Sequence, residues 1–220
     1  MTKNNNFIFF LLAFFSIFTE AAFANSEENT IQTVIQQLNS VTVIHGKFEQ
    51  QKQLQGLDYP LTSSGHFIFW KEKGLYLASD TPFFNASTIT PDNIIHWQEN
   101  GTGSISEEQS GLIQREISRT LLAFFSADVA LIEERFTTEW QFDGKNWQLL
   151  LAPRHDMVRK QMRSAELRGE DYIESLRIVG GNGDVTQLNF TDISSSDSPT
   201  PEQCRWFYLN DVAEHCAAAP

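Results

Sequence analysis

The stretch from Ser63 to Trp97, SSGHFIFWKEKGLYLASDTPFFNASTITPDNIIHW, constrains the fold more than any other part of the chain. Runs rich in Phe, Ile, Leu, Trp and Thr are separated by Lys-Gly, Thr-Pro and Pro-Asp-Asn turns, which predicts four short strands. These strands carry more aromatic side chain than a thin sheet needs and almost no group capable of chemistry. The sheet is therefore expected to form one wall of an apolar cavity. Alternation puts the pairs Phe67/Phe69 and Ile68/Trp70 on opposite faces and leaves open which pair points inward.

The flanking segments supply something to lie over that sheet. From Glu27 to Val41 the apolar residues Ile31, Val34, Ile35 and Leu38 recur at helical spacing. Thr42 to Leu54 reads as a long strand. Arg115 to Arg135 returns to helical period, with Leu121, Leu122, Phe124 and Phe125 before Ser126-Ala127-Asp128 and with Val129, Leu131 and Ile132 after it. Asp128 is placed to cap a second short helix. Ser104 to Ser110, before these helices, is polar and weakly patterned. Strands are predicted over 137–141 and 147–152 around Asp143-Gly144-Lys145-Asn146, over 162–168 and 172–179, and on both sides of Gly180 to Asp184. Ser194 to Pro201 reads as a flexible linker, starting a tail at about 194 that ends in a short strand, Arg205 to Leu209. No internal repeat and no second domain is expected.

The N-terminus is set apart from this pattern. Lys3 and three asparagines precede an apolar run from Phe7 to Phe18, followed by Ala22-Phe23-Ala24. That is the layout of a secretory signal peptide, residues 1–24, cleaved after Ala24. The run is shorter than the roughly 20 residues a membrane span requires. Residues 25–220 then form a single exported domain whose length allows burial of about 70% of its unfolded surface. The chain carries 28 acidic and 16 basic residues, a net charge of −12. A chain this acidic is expected to lack the extended phosphate-neutralising patch that nucleic-acid binding needs. Export permits a disulfide, and Cys204 and Cys216 are spaced to close a small C-terminal loop; with no C-x-x-C pattern, a structural bridge is expected.

Catalytic chemistry finds little support. The histidines at 45, 66, 96, 155 and 215 show no H-x-x-x-H or H-E-x-x-H spacing, so no metal is expected. No G-x-S-x-G elbow occurs, and the Gly180–Asp184 run lacks the Lys-Ser/Thr and the helix a phosphate loop requires. The chain is expected not to be an enzyme and to use no cofactor.

An ordered series of short motifs remains. Gly46-Lys47-Phe48-Glu49-Gln50 follows the first helix; Ser64-Gly65-His66-Phe67, Gly74-Leu75 and Pro82-Phe83 come next; Tyr172-Ile173-Glu174 leads to Phe190-Thr191-Asp192-Ile193. The series resembles the periplasmic outer-membrane lipoprotein carrier family, the LolA-like proteins, over roughly residues 31–193. The resemblance implies an α+β fold: an incomplete, curved antiparallel β-barrel with short helices forming a lid over a hydrophobic cavity. It also implies lipoprotein acyl chains as cargo, an inner-membrane transporter as donor and an outer-membrane acceptor. Where the family has an arginine that helps hold the lid closed, this chain has Lys71, which lacks the planar guanidinium fork. Lipid cargo is thus better supported than lipoprotein cargo.

The expected function is a monomeric periplasmic carrier that takes acyl chains from inner to outer membrane. Phe48, Phe67, Phe69, Leu75, Leu77, Phe83, Ile95 and Trp97 would line the sheet side of its cavity. Leu121, Leu122, Phe124 and Phe125 would line the lid, with Lys71 as a lid contact. Each methylene removed from water contributes about 0.8 kcal/mol, so chain length would set affinity. The alternatives are a carrier for a polyene or fatty-acyl product, and a periplasmic lipoprotein-sensing module that binds protein.

Overall fold

The computed structural model describes residues 20–105 and 112–216. The basic and apolar parts of the expected signal peptide lie outside the described residues, as does most of Ser104–Ser110. Helix α1 (Glu20–Ser40) is already helical at Glu20, seven residues before the expected Glu27, and no proline or glycine interrupts the chain there. Six strands follow: β1 (Val43–Gln53), β2 (Leu61–Trp70), β3 (Gly74–Thr81), β4 (Asn85–Ile89), β5 (Ile94–Trp97) and β6 (Gly103–Ile105). Two helices, α2 (Leu112–Ser126) and α3 (Val129–Arg135), lead to β7 (Phe136–Asp143), β8 (Asn146–Pro153), a short α4 (Asp156–Gln161), β9 (Met162–Gly169), β10 (Ile173–Gly180) and β11 (Val185–Ser196). The chain closes with α5 (Pro201–Cys204), a 3₁₀ turn over Arg205–Phe207, and α6 (Val212–His215).

All eleven strands form one antiparallel sheet in the order β6-β5-β4-β3-β2-β1-β11-β10-β9-β8-β7. The sheet is two meanders, β1 to β6 and β7 to β11, in which every strand pairs with its neighbour in sequence. A single long-range pairing, β1 with β11, joins them, from Val43 opposite Ser196 to Gln53 opposite Val185. The two edges, β6 and β7, do not pair, so the sheet is an open, curved half-barrel rather than a closed barrel. Those edges are also the two ends of the connection that contains α2 and α3. A connection from one edge to the other has to cross a face, and this topology is what lays α2 and α3 over the sheet.

Two motif glycines show why the half-barrel needs them. A Cβ on Gly65 would sit 1.9 Å from the Ala78 carbonyl oxygen, and one on Gly46 would sit 2.7 Å from that of Thr191. Gly46 lies between His45 and Lys47, where the β1–β11 register shifts, so the crowded side of a bulge falls on the residue without a side chain.

Apolar residues divide between the two faces. On the helix-bearing face, Phe48, Phe67, Phe69, Leu75, Leu149, Leu151, Leu167, Leu176 and Phe190 are buried with Leu122, Phe124 and Phe125 of α2. On the opposite face, Val43, Ile68, Tyr76, Ile95 and Trp97 form a second cluster closed by Phe207. Of the segment expected to be a tail with a final strand, residues 194–196 end β11, and the expected strand is instead a 3₁₀ turn between α5 and α6, with Trp206 and Phe207 docked on this second face. Thr200 and Gln203 form a capping box, and Pro201 occupies the first turn, both helix-start signals. Trp206 stacks on Tyr76 at 4.9 Å and meets Trp97 edge-on at 5.3 Å. Cys204 and Cys216 are disulfide-bonded, with Cα atoms 5.6 Å apart.

Candidate ligand-binding face

The face ambiguity of β2 resolves in favour of Phe67 and Phe69, which point toward the helices, while Ile68 and Trp70 point away. The lid contact runs through α2. Five consecutive residues, Leu121 to Phe125, sit against apolar groups, with all but Leu121 fully buried, as expected of a helix covered on several sides. Phe125 lies over the central strands, with ring centroids 5.6 Å from Phe69, 5.5 Å from Phe190 and 6.4 Å from Phe67. Phe124 turns toward the second meander and meets Phe136 at 5.7 Å. Leu75 is fully buried in this cluster, and Leu77 packs at its margin.

Three expected wall residues are not on this face. Ile95 and Trp97 belong to the opposite cluster, because the β4–β5 register and the alternation along β5 send them toward the C-terminal segment. The Trp97 indole N–H there donates to Thr88 at 2.8 Å. Phe83 is 80% exposed, in the turn between β3 and β4 where no element covers it.

The hollow expected between β2–β5 and α2 is filled by Phe125 and its aromatic neighbours. One unfilled space on this face lies farther along, between α1, α2, α3 and the second meander. Ile35, Leu38, Phe124, Ile132, Trp140 and Trp147 are among its lining residues, and its volume is about 20 Å³. Small-molecule pockets are typically about 300–1,000 Å³. Sequence reasoning missed this half of the face, although Trp147, Leu149 and Leu151 alternate cleanly in β8 and show the signal.

Polar contacts fasten the covering helices at one end of the sheet. Lys71 Nζ, in the β2–β3 turn, donates to the main-chain carbonyl of Asn39 at 2.7 Å. Asn39 Nδ2 donates to the Ala127 carbonyl at 3.2 Å, and Gln37 Nε2 donates to Asp171 Oδ1 at 2.7 Å. Lys71 thus binds the last turn of α1, where a cation suits both the unsatisfied carbonyls and the helix dipole. Asp128 caps α3, accepting from the Leu131 amide at 3.1 Å. Among the α1 side chains described, from residue 29 on, only Leu38 is fully buried; Ile31, Val34 and Ile35 are half-buried. The face therefore combines an apolar sheet, apolar helices and polar ties at its margin.

Comparison with known proteins follows this geometry. No curated protein matches the chain in sequence. Among solved structures, the MucA/MucB complex of Pseudomonas aeruginosa aligns at a TM-score of 0.46 and 10% identity, over 81% of this chain and 60% of that one. A LolA superfamily protein from Nitrosomonas europaea aligns at 0.41 and 8%, over 76% and 94%. The lipoprotein LppX of Mycobacterium tuberculosis aligns at 0.39 and 13%, over 83% and 98%. This chain thus spans about three fifths of the Pseudomonas chain it matches. The family model described as outer membrane lipoprotein carrier protein LolA-like matches residues 23–191 of the 220. The chain belongs to that LolA-like family.

Proposed function

We propose that the protein is an exported carrier that holds acyl chains, of a lipoprotein or another lipid, between its apolar sheet face and helices α1 to α3. One observation carries the reading. The largest apolar face of the sheet is covered by helices rather than by a second sheet, and a few hydrogen bonds tie them down, exposed ones from Lys71 and Gln37 and a part-buried one from Asn39. A space of about 20 Å³ holds no acyl chain, so loading displaces the helices. Rupture of such ties costs about 0.5–1.5 kcal/mol each. Each methylene that enters returns about 0.8 kcal/mol, so a chain of ordinary fatty-acyl length outweighs them. Family membership supports the same reading. Export from the inner toward the outer membrane, with a transporter as donor and an acceptor at the far side, completes the proposal, as does the 1–24 signal peptide. No helix among the described residues is long and apolar enough to cross a membrane.

A second reading, a module that binds protein rather than lipid, is favoured by the small volume of the closed face. Native mass spectrometry of the chain recovered in soluble form after export separates the two. A lipid or lipoprotein adduct supports the carrier. Adduct-free protein in a stoichiometric protein complex supports the module and removes the carrier.

A further inference from the structure

One end of the sheet has a composition unlike the rest of the surface. Strand direction places the β1–β2 loop, the β3–β4 turn, α4 between β8 and β9, and the β10–β11 turn at this end. Five of the six large hydrophobic residues exposed among those described sit there. Leu57 and Tyr59 belong to the β1–β2 loop, Leu61 begins β2, Phe83 belongs to the β3–β4 turn and Met157 to α4. Tyr59 is 82% exposed. An apolar series this concentrated marks an interaction surface, whereas scattered single residues would not.

The loops form a connected rim. Asp184 Oδ1 accepts from the Gln55 amide at 2.8 Å, and Gln55 Nε2 donates to the Gly183 carbonyl at 2.9 Å, joining the β1–β2 loop to the β10–β11 turn. The Gly181 amide donates to the Gln161 carbonyl at 2.9 Å, and Arg163 Nε donates to the Gly181 carbonyl at 3.0 Å, joining that turn to α4. On the other side, the Ser64 and Thr81 hydroxyls meet at 2.6 Å, tying the start of β2 to the β3–β4 turn.

Charge on the rim runs against the charge of the protein. Residues 154–163, RHDMVRKQMR, carry Arg154, Arg159, Lys160 and Arg163 against Asp156 alone, in a chain whose net charge is −12. All four basic residues are exposed, and Met157 stands among them. Asp58 lies between Leu57 and Tyr59, and Asp184 is held by the Gln55 amide and Asn182.

We propose that this rim docks on an anionic phospholipid surface, with Tyr59, Leu61, Phe83 and Met157 entering the headgroup layer and the α4 basic cluster facing the phosphates. Apolar side chains flanked by cations are what an interfacial contact needs, since burial and charge attraction add. The proposal stands whether or not the helix-covered face holds lipid.

Vesicle flotation tests it, using the soluble exported chain with vesicles of equal parts phosphatidylglycerol and phosphatidylcholine, or of phosphatidylcholine alone. The chain floats with the anionic vesicles, less so as salt rises, and weakly with the neutral ones. Lys160→Glu weakens the partition at least about five-fold. Tyr59→Ser combined with Phe83→Ser weakens it about ten-fold or more. These residues are exposed, so unchanged circular dichroism and melting are expected of each variant. Lipid uptake by the soluble protein is read separately, from the vesicle-free fraction. Failure to float, equal flotation on both vesicle types, or variants that float like the parent would overturn the proposal. So would a concentration-dependent dimer lost in the Tyr59/Phe83 variant, which would make the rim a self-association surface.

Discussion

Lys71 Nζ lies 2.7 Å from the carbonyl oxygen of Asn39, so the turn between β2 and β3 holds the last turn of α1. A single ammonium here does part of what a forked guanidinium would do, and its second contact, to Asn39 Oδ1, is longer at 3.4 Å. The tie is exposed, which limits its strength. Lys71→Met is expected to cost about 0.5–1 kcal/mol and to speed amide exchange in the C-terminal half of α1. It should leave exchange in β1 and β11 unchanged. Equal protection of α1 in parent and variant would show that the helix is held by packing alone.

Phe125 belongs to the core as much as to the lid. Its contacts with Phe67, Phe69 and Phe190 predict that Phe125→Ala costs about 3–5 kcal/mol, through lost burial and the cavity left behind. Phe125→Asp is expected to unfold the chain rather than block the site selectively, because its charge would be buried without a partner. Urea denaturation distinguishes these outcomes. A loss under 1 kcal/mol for the alanine variant would mean that α2 does not rest on the sheet as described.

The disulfide closes a short loop and pins an aromatic clamp. Paired replacement, Cys204→Ser with Cys216→Ser, is expected to cost about 2–4 kcal/mol. It should also loosen Trp206 from Tyr76 and Trp97, shifting tryptophan emission to the red. Unchanged emission and melting would show that the segment is held without the bridge.

Tyr76 gives the protein a signature at high pH. Burial, and then the charge of Asp80, push its phenol up to about 12, against an opposing pull from Arg205. Between pH 10 and 12 the unfolded chain loses this proton while the folded chain keeps it, so stability falls across that window. Tyr76→Phe should flatten this part of the profile, measured as melting temperature against pH. A slope unchanged by the substitution would assign it to other groups.

The order and kind of the elements were largely legible in the sequence, and the assignment of faces was only partly so. The four strands of residues 63–97 form where the turn residues put them, and Asp128 caps α3 as its position predicts. Ile95 and Trp97 could not be placed from alternation alone, since a strand shows two faces but not which neighbour covers each. Their partner, the Trp206–Phe207 segment, reads locally as a strand because it is aromatic. The Thr200–Gln203 capping box, Pro201 and the disulfide instead turn it into helix. Phe83 was misplaced because a hydrophobic residue beside a turn reads as buried whenever burial is judged by residue type. Trp140 and Trp147 share the face of the first meander only through the non-local pairing of β1 with β11, which local alternation does not reveal.

Brominated fatty acid quenching of tryptophan tests the central claim most directly, since the five tryptophans divide between faces. Trp140 and Trp147 lie on the helix-covered face; Trp70, Trp97 and Trp206 lie on the other. If acyl chains enter beneath α1 to α3, the quenched component should fall in Trp147→Phe and persist in Trp206→Phe. No quenching at saturating fatty acid, or quenching that disappears with Trp206 instead, would contradict the account.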